Sequence, residues 1–287
     1  MGNPASLLRL TPIQLLIVAV IITGIGPVLV RESPVGPAST AFWRLAIALP
    51  FALWLGRGAF KLDARDSGWA LLAGLLLACD LVLWNNAILR TSVMEATVLV
   101  MVFPIIIALI EIGFLGRRLA LTLLVGGAIA FAGTAVIAAS ATRGESSLAG
   151  DAMALGAALF YAGSMLISAQ LCQRLDNRSV TPWVIIGGAC GTLPMLFSES
   201  ASVPHDLHGW AYLSFYGMLT FGSYALYNSA LAKLPTTLVA ISGYGQPAIA
   251  TGLAILLLGE IPSLGGLMGA AVVIAGLLIA TNSRGQS

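Results

Sequence analysis

Four ionisable residues stand inside otherwise apolar runs: Arg44, Asp80, Glu95 and Glu111. A charge in a hydrocarbon core costs roughly 2.5–3.5 kcal/mol on insertion scales, so such groups face a protein interior and find partners. Arg44 lies ~9 Å along its helix from the end of its run, and Asp80 ~14 Å from the end of the next. Those depths allow a pair across neighbouring helices, with Glu95 competing for Arg44. Two functional readings stay open beside the pair: Arg44 meets a substrate carboxylate, or Asp80, with Glu95, relays protons. Glu111, close to Arg117 and Arg118, is expected to snorkel toward the interface.

A second set is polar and aromatic. Tyr216, Thr220, Ser223, Tyr224, Tyr227 and Asn228 recur at three- and four-residue steps, which puts them on one face of a helix. Tyr161, Ser164 and Ser168 repeat that spacing upstream, and Trp84 and Asn85 stand in a third run. Lipid gives such faces nothing, whereas a cavity with apolar walls and a few hydrogen-bonding groups uses them. Trp84, Asn85, Tyr161, Ser164, Ser223, Tyr224, Tyr227 and Asn228 are therefore expected to bind substrate. Their rings could stack on a flat or cationic ligand. Tyr244 and Gln246, just before Pro247, join them. Trp183, Trp210 and Tyr212 fit the other reading of such residues, anchors at headgroup depth.

Pro104 and Pro247 lie near the middles of apolar runs, where proline removes a backbone donor and breaks or bends a helix. Paired breaks are the best sequence pointer to a midplane site, and the two prolines are read as hinges. His205 and His208 form an HxxH pair beside Asp206 with no cysteine near, so no metal is expected, and no cofactor. Cys79, Cys172 and Cys190 lack CxxC spacing and are read as packing residues. There is no GxxxxGK[ST], HExxH or GxSxG, which argues against an ATP-driven pump and against an intramembrane enzyme.

These residues must be positioned by ten apolar runs bounded by charges, glycines and prolines. The runs are Ile13–Val30, Ala38–Leu55, Gly68–Leu89, Val93–Leu115, Leu119–Ser140, Ala152–Leu171, Trp183–Phe197, Gly209–Leu231, Leu238–Leu258 and Leu264–Ala280. Composition agrees with that reading. Only 9% of the 287 residues are charged and 58% are hydrophobic, against roughly 25% charged in a soluble chain. Too few charges remain to clothe a soluble enzyme, and a net charge of +2 is too small for tracking nucleic-acid phosphates. The expected class is an all-α integral membrane protein with the bilayer as a partner and no nucleic acid. With the N-terminus inside, ten basic residues fall on the inner side, and three, Arg31, Arg90 and Arg143, on the outer. That bias puts both termini in the cytoplasm.

Trp84–Val136 aligns without gaps on Tyr227–Ile279, at a fixed shift of 143 residues. Asn85 matches Asn228, Pro104 matches Pro247, and Gly126 and Gly133 match Gly269 and Gly276. The repeat unit is thus five spans, residues 1–143 and 144–287. An odd number of spans inverts the second copy, and inverted repeats are a signature of alternating-access transport. One chain holds both halves, so a monomer suffices.

Two inverted fives, with Trp-Asn-Asn-Ala-Ile-Leu from Trp84 in one half and Tyr-Asn-Ser-Ala-Leu from Tyr227 in the other, resemble the EamA branch of the drug/metabolite transporter superfamily. Each stretch is followed by a mid-span proline and then by Gly259-Glu260 or its counterpart, here Gly116-Arg117. The likeness covers essentially the whole chain and, within the branch, is greatest to bacterial exporters of aromatic amino acids. It implies a multi-pass protein of the bacterial inner membrane that exports small metabolites, often amino acids, through a central cavity. Exporters of cationic drugs in the superfamily carry an acidic residue in the first helix, where this chain offers Thr23 but no Asp or Glu between Ile13 and Val30. That makes a cationic cargo the alternative.

Overall fold

The computed structural model describes residues 11–57, 61–91, 93–140, 147–249, 252 and 263–282, without the side chains of 93–95, 97 and 198. Every regular element among the described residues is a helix. In chain order they are α1 (Pro12–Gly24), α2 (Gly26–Arg31), α3 (Pro37–Leu55), α4 (Ala64–Arg90), α5 (Val93–Val100) and α6 (Phe103–Gly113). Then come α7 (Leu121–Ala139), α8 (Leu148–Arg174), α9 (Asn177–Thr192) with a 3₁₀ turn (Leu193–Ser198), α10 (Leu207–Leu231), α11 (Thr236–Ser242) and α12 (Leu264–Thr281).

The helix starts follow capping chemistry. Thr11 and Gln14 form a reciprocal capping box on α1. The side chains of Asp63, Ser147, Asp206 and Ser263 accept backbone N–H groups that α4, α8, α10 and α12 cannot satisfy internally. Pro12, Pro37 and Pro104 stand in first turns, where a missing N–H costs no helical bond.

Seven described segments are long and apolar enough to cross a membrane: Pro12–Arg31, Pro37–Leu55, Ala64–Arg90, Leu121–Ala139, Leu148–Arg174, Asn177–Phe197 and Leu264–Thr281. The other three expected runs differ for identifiable reasons. The fourth is broken into α5 and α6, of 8 and 11 residues. The eighth, α10, has the length at 25 residues but carries the polar face. The ninth breaks after α11, and its end at Leu258 lies outside the described residues, as do Gly259, Glu260 and Arg143. The seventh run starts earlier than expected, at Asn177, because Asp176 caps it.

Helix positions repeat. α4, α5 and α7 begin at residues 64, 93 and 121, and α10, α11 and α12 at 207, 236 and 264, a constant offset of 143. The most extensive helix contact is α7 against α12. A Cβ on Gly126 would lie 2.6 Å from the Gly276 carbonyl, and one on Gly133 would lie 2.8 Å from the Gly269 carbonyl. Cβ atoms on Gly276 and Gly269 would approach the carbonyls of Gly126 and Gly133 at the same two distances. Partner numbers fall as those on α7 rise, so the two helices run antiparallel. Lipid tails are as apolar as leucine, so membrane helices associate by such backbone-to-backbone packing. Elsewhere α4 is the hub, packed antiparallel on α8 and, through Gly74 against the Val184 backbone, on α9. Exposed Leu109, Leu121, Leu159 and Ile274 fit a lipid-facing surface.

Candidate transport cavity

A cavity of about 110 Å³ opens where α1, α3, α4, α8 and α10 meet. Thr23 and Gly26 contribute from the α1–α2 junction, Arg44 from α3, and Asp80 and Trp84 from α4. Tyr161 comes from α8, and Tyr216, Thr220, Ser223 and Tyr224 from α10. Val100, Met101 and Phe103, at the break between α5 and α6, and Gln246, just past α11, complete it.

Arg44 is buried and firmly held. Its Nη1 donates to Tyr216 Oη at 2.6 Å and its Nε donates to Thr220 Oγ1 at 3.1 Å. Its guanidinium carbon sits 4.4 Å from the Tyr216 ring centroid, a cation–π contact. Tyr216 and Thr220 are one helical turn apart, so both side chains reach the same guanidinium fork. Thr220 Oγ1 in turn donates to the Tyr216 carbonyl at 2.9 Å. The expected direct ion pair with Asp80 does not form. No Asp80 oxygen comes within 4.0 Å of an Arg44 nitrogen, although both groups face the same cavity. The Asp80 carboxylate accepts no hydrogen bond from a described residue. Glu95 lies on α5 with its side chain outside the described residues.

Of the ten residues expected to bind substrate, Trp84, Tyr161, Ser223, Tyr224 and Gln246 line the cavity. Tyr161 is set edge-on to Phe103 with ring centroids 4.7 Å apart. Asn85, Ser164, Tyr227, Asn228 and Tyr244 do not line it. Asn85 donates to the Pro37 carbonyl at 2.8 Å, and Asn228 donates to Thr181 Oγ1 at 2.9 Å. Both asparagines tie helices together. Tyr227 sits behind the wall, 3.4 Å from the Thr23 hydroxyl. Tyr244 is fully buried against Phe131, and Ser164 is buried on α8.

The prolines do not bend continuous helices. The fourth run is interrupted at Met101–Val102, and Pro104 occupies the first turn of α6. The ninth is interrupted at Gly243–Tyr244, and Pro247 follows within the helical residues 245–249. Each proline thus starts a second half-helix, where its fixed φ is favourable. Met101, in the first break, and Gln246, two residues past the second, line the cavity.

Glu111 does not snorkel. It is 1% exposed, pairs with Arg117 at 2.6 Å and accepts a short hydrogen bond from the Thr237 hydroxyl of α11. The cysteines are unpaired. Cys172 is buried as expected, whereas Cys79 and Cys190 are exposed on helix surfaces. Tyr216 and Thr220 were visible in the sequence as part of the polar face, but nothing in their spacing announced Arg44 as their ligand.

The profile of the EamA-like transporter family matches residues 10–139 and again 148–282. The chain belongs to the EamA-like transporter family. An uncharacterized transporter, YwfM of Bacillus subtilis (strain 168), is 27% identical over 264 residues, spanning 90% of this chain and 88% of its own. A probable terminal-alkyne amino-acid exporter of Streptantibioticus cattleyicolor is 26% identical over 256 residues, spanning 85% of this chain and 84% of its own. A crystal structure sharing 17% identity superposes with a TM-score of 0.79 over 95% of this chain and 98% of that one, so the fold is shared. The EamA-family chain is thus a multi-span membrane protein of a transporter family, and that family works on small molecules.

Proposed function

We propose that this chain is a secondary transporter that exports amino acids and related small metabolites across the bacterial inner membrane by alternating access at the central cavity. The observation that carries this reading is the wall of the cavity. It is built from both sides of the constant 143-residue offset, and it includes residues at or beside both helix breaks, Met101 and Phe103 at one and Gln246 two residues past the other. A site bordered by two broken helices changes access when the half-helices beyond the breaks move. The amino-acid exporter among the relatives supports the cargo. At about 110 Å³ the cavity is smaller than the roughly 300 Å³ at which drug-sized sites begin. It therefore suits a small neutral amino acid as it stands, and an aromatic one requires the helices to part.

In this reading, the segments 1–143 and 144–287 form two five-span halves of opposite orientation, ten spans in all, with both termini cytoplasmic. The antiparallel α7–α12 contact and the ten-to-three charge bias support it. The halves rock about the cavity, with Pro104 and Pro247 at the hinges, and a monomer is sufficient. The test is uptake of a panel of radiolabelled amino acids into liposomes holding the purified chain. Accumulation of one or more above protein-free liposomes is the expected result. Movement of a quaternary ammonium ion with no amino acid overturns the cargo in favour of a cationic drug.

A further inference from the structure

Arg44 and Asp80 are each more than nine-tenths buried, at 8% and 7% exposure, and each faces the same cavity. Neither meets an opposite charge within 4.0 Å among the described residues. A buried charge left in this way is costly unless something completes it. Arg44 cannot simply swing across to Asp80, because Tyr216 and Thr220 hold its Nη1 and Nε. A guanidinium offers five N–H donors. Two are spent on those partners, and no described residue takes the remaining donors on Nη1 and Nη2, which leaves them to a ligand. The Asp80 oxygens accept from no described residue and can receive a ligand.

The geometry points to a two-ended site for a zwitterion. The substrate carboxylate is received by the free N–H groups of Arg44, and the substrate ammonium is received by Asp80. This rests on the transport reading above and narrows its substrate class to α-amino acids with both ends unblocked, over amines, carboxylates or permanent cations. The separation of the two charges is the feature that matters. A direct pair would spend both groups on each other, whereas charges of opposite sign that line one small cavity without meeting within 4.0 Å match a ligand carrying the complementary pair. Planar N–H groups suit a carboxylate, and charge-assisted bonds at both ends fix the ligand's direction. Trp84, Tyr161, Phe103 and Tyr224 line the same cavity and are available to the ligand's side chain.

The test uses the full chain in liposomes with radiolabelled L-alanine and L-phenylalanine. Propionate and ethylamine serve as one-ended competitors for the first, and hydrocinnamate and phenethylamine for the second. Each one-ended compound is expected to compete at least about tenfold less well than the amino acid, the loss of one charge-assisted bond. Asp80→Asn and Arg44→Gln are each expected to raise the half-saturation concentration by about tenfold or more. The double variant is expected to be poorer than either single, since each charge holds a different end of the ligand. If the double variant recovers wild-type transport, the two charges serve only each other and the proposal is overturned. It is equally overturned if a one-ended compound competes as well as its amino acid. That competition series needs only the wild-type chain, so it decides the matter even where a variant fails to fold. If neither amino acid enters wild-type liposomes, the transport reading itself falls, before any variant is made.

Discussion

Asn85 and Asn228, related by the 143-residue offset, do the same work. Each donates its side-chain amide to the neighbouring helix, Asn85 to Pro37 at the start of α3 and Asn228 to Thr181 on α9. The motif shared by the two halves is therefore a tether between helices. Asn228→Ala strips Thr181 of a buried partner and is expected to cost about 1–3 kcal/mol. Thermal unfolding in detergent checks this, alongside an unchanged half-saturation concentration for transport. A variant that binds substrate more weakly at unaltered stability would return Asn228 to the cavity.

Glu111 joins α6, the second half of one broken helix, to α11, the first half of the other, through Thr237. Thr237→Val leaves a carboxylate that is 1% exposed with Arg117 as its remaining partner. A lost hydrogen bond to a charged group is expected to lower stability by about 1–3 kcal/mol. Glu111→Gln, which keeps the shape and an acceptor, is expected to lose less. The order of the two melting temperatures is the measurement, and a Thr237→Val protein as stable as wild type would remove the bond from the account.

The α7–α12 seam predicts a third outcome. A Cβ on Gly276 would stand 2.5 Å from the Ala130 nitrogen, and backbone cannot rotate out of the way as a side chain can. Gly276→Val therefore has to push the helices apart, and overpacking of this kind costs about 1–3 kcal/mol. Gly113, whose Cβ would meet nothing within 4 Å, is the matched control, and Gly113→Ala is expected to leave the melting temperature within experimental scatter.

The prolines give a fourth. Pro104 starts a half-helix, so Pro104→Ala supplies an N–H that lets the helix run on through the break at Met101–Val102. Continuity stiffens the hinge. Pro104→Ala and Pro247→Ala are expected to slow turnover several-fold, with little change in half-saturation or melting temperature. Turnover equal to wild type in both variants would dissociate the breaks from the transport cycle.

The elements were legible because their signals are local. Asp63, Asp206 and Ser263 cap helices at their own starts, apolar runs state their own lengths, and the offset between halves can be read by sliding the sequence along itself. Half of the expected binding set lines the cavity for the same reason, since steps of three and four residues from Thr220 place Ser223 and Tyr224 beside it on α10. What stayed hidden is long-range. Arg44 is held by residues more than 170 positions away, and Glu111 by Thr237 at a separation of 126. Spacing carries no information about such meetings. The shared asparagines misled in a specific way, because a motif common to both halves marks what both halves need, which is packing.

The cavity is less symmetric than the scaffold around it. At the 143-residue offset Asp80 corresponds to Ser223, and Tyr216 and Thr220 to Ala73 and Leu77, while Arg44 stands on α3, which starts 140 residues before α9 and there matches Val184. A homodimer of the first half would therefore crowd two arginines and two aspartates together, with alanine and leucine where their hydroxyl partners belong. A homodimer of the second half would present its tyrosines to no charge at all. In the proposed two-half reading only the unlike pairing assembles the cavity, and fusing the halves in one polypeptide guarantees that pairing at one-to-one stoichiometry for every molecule made.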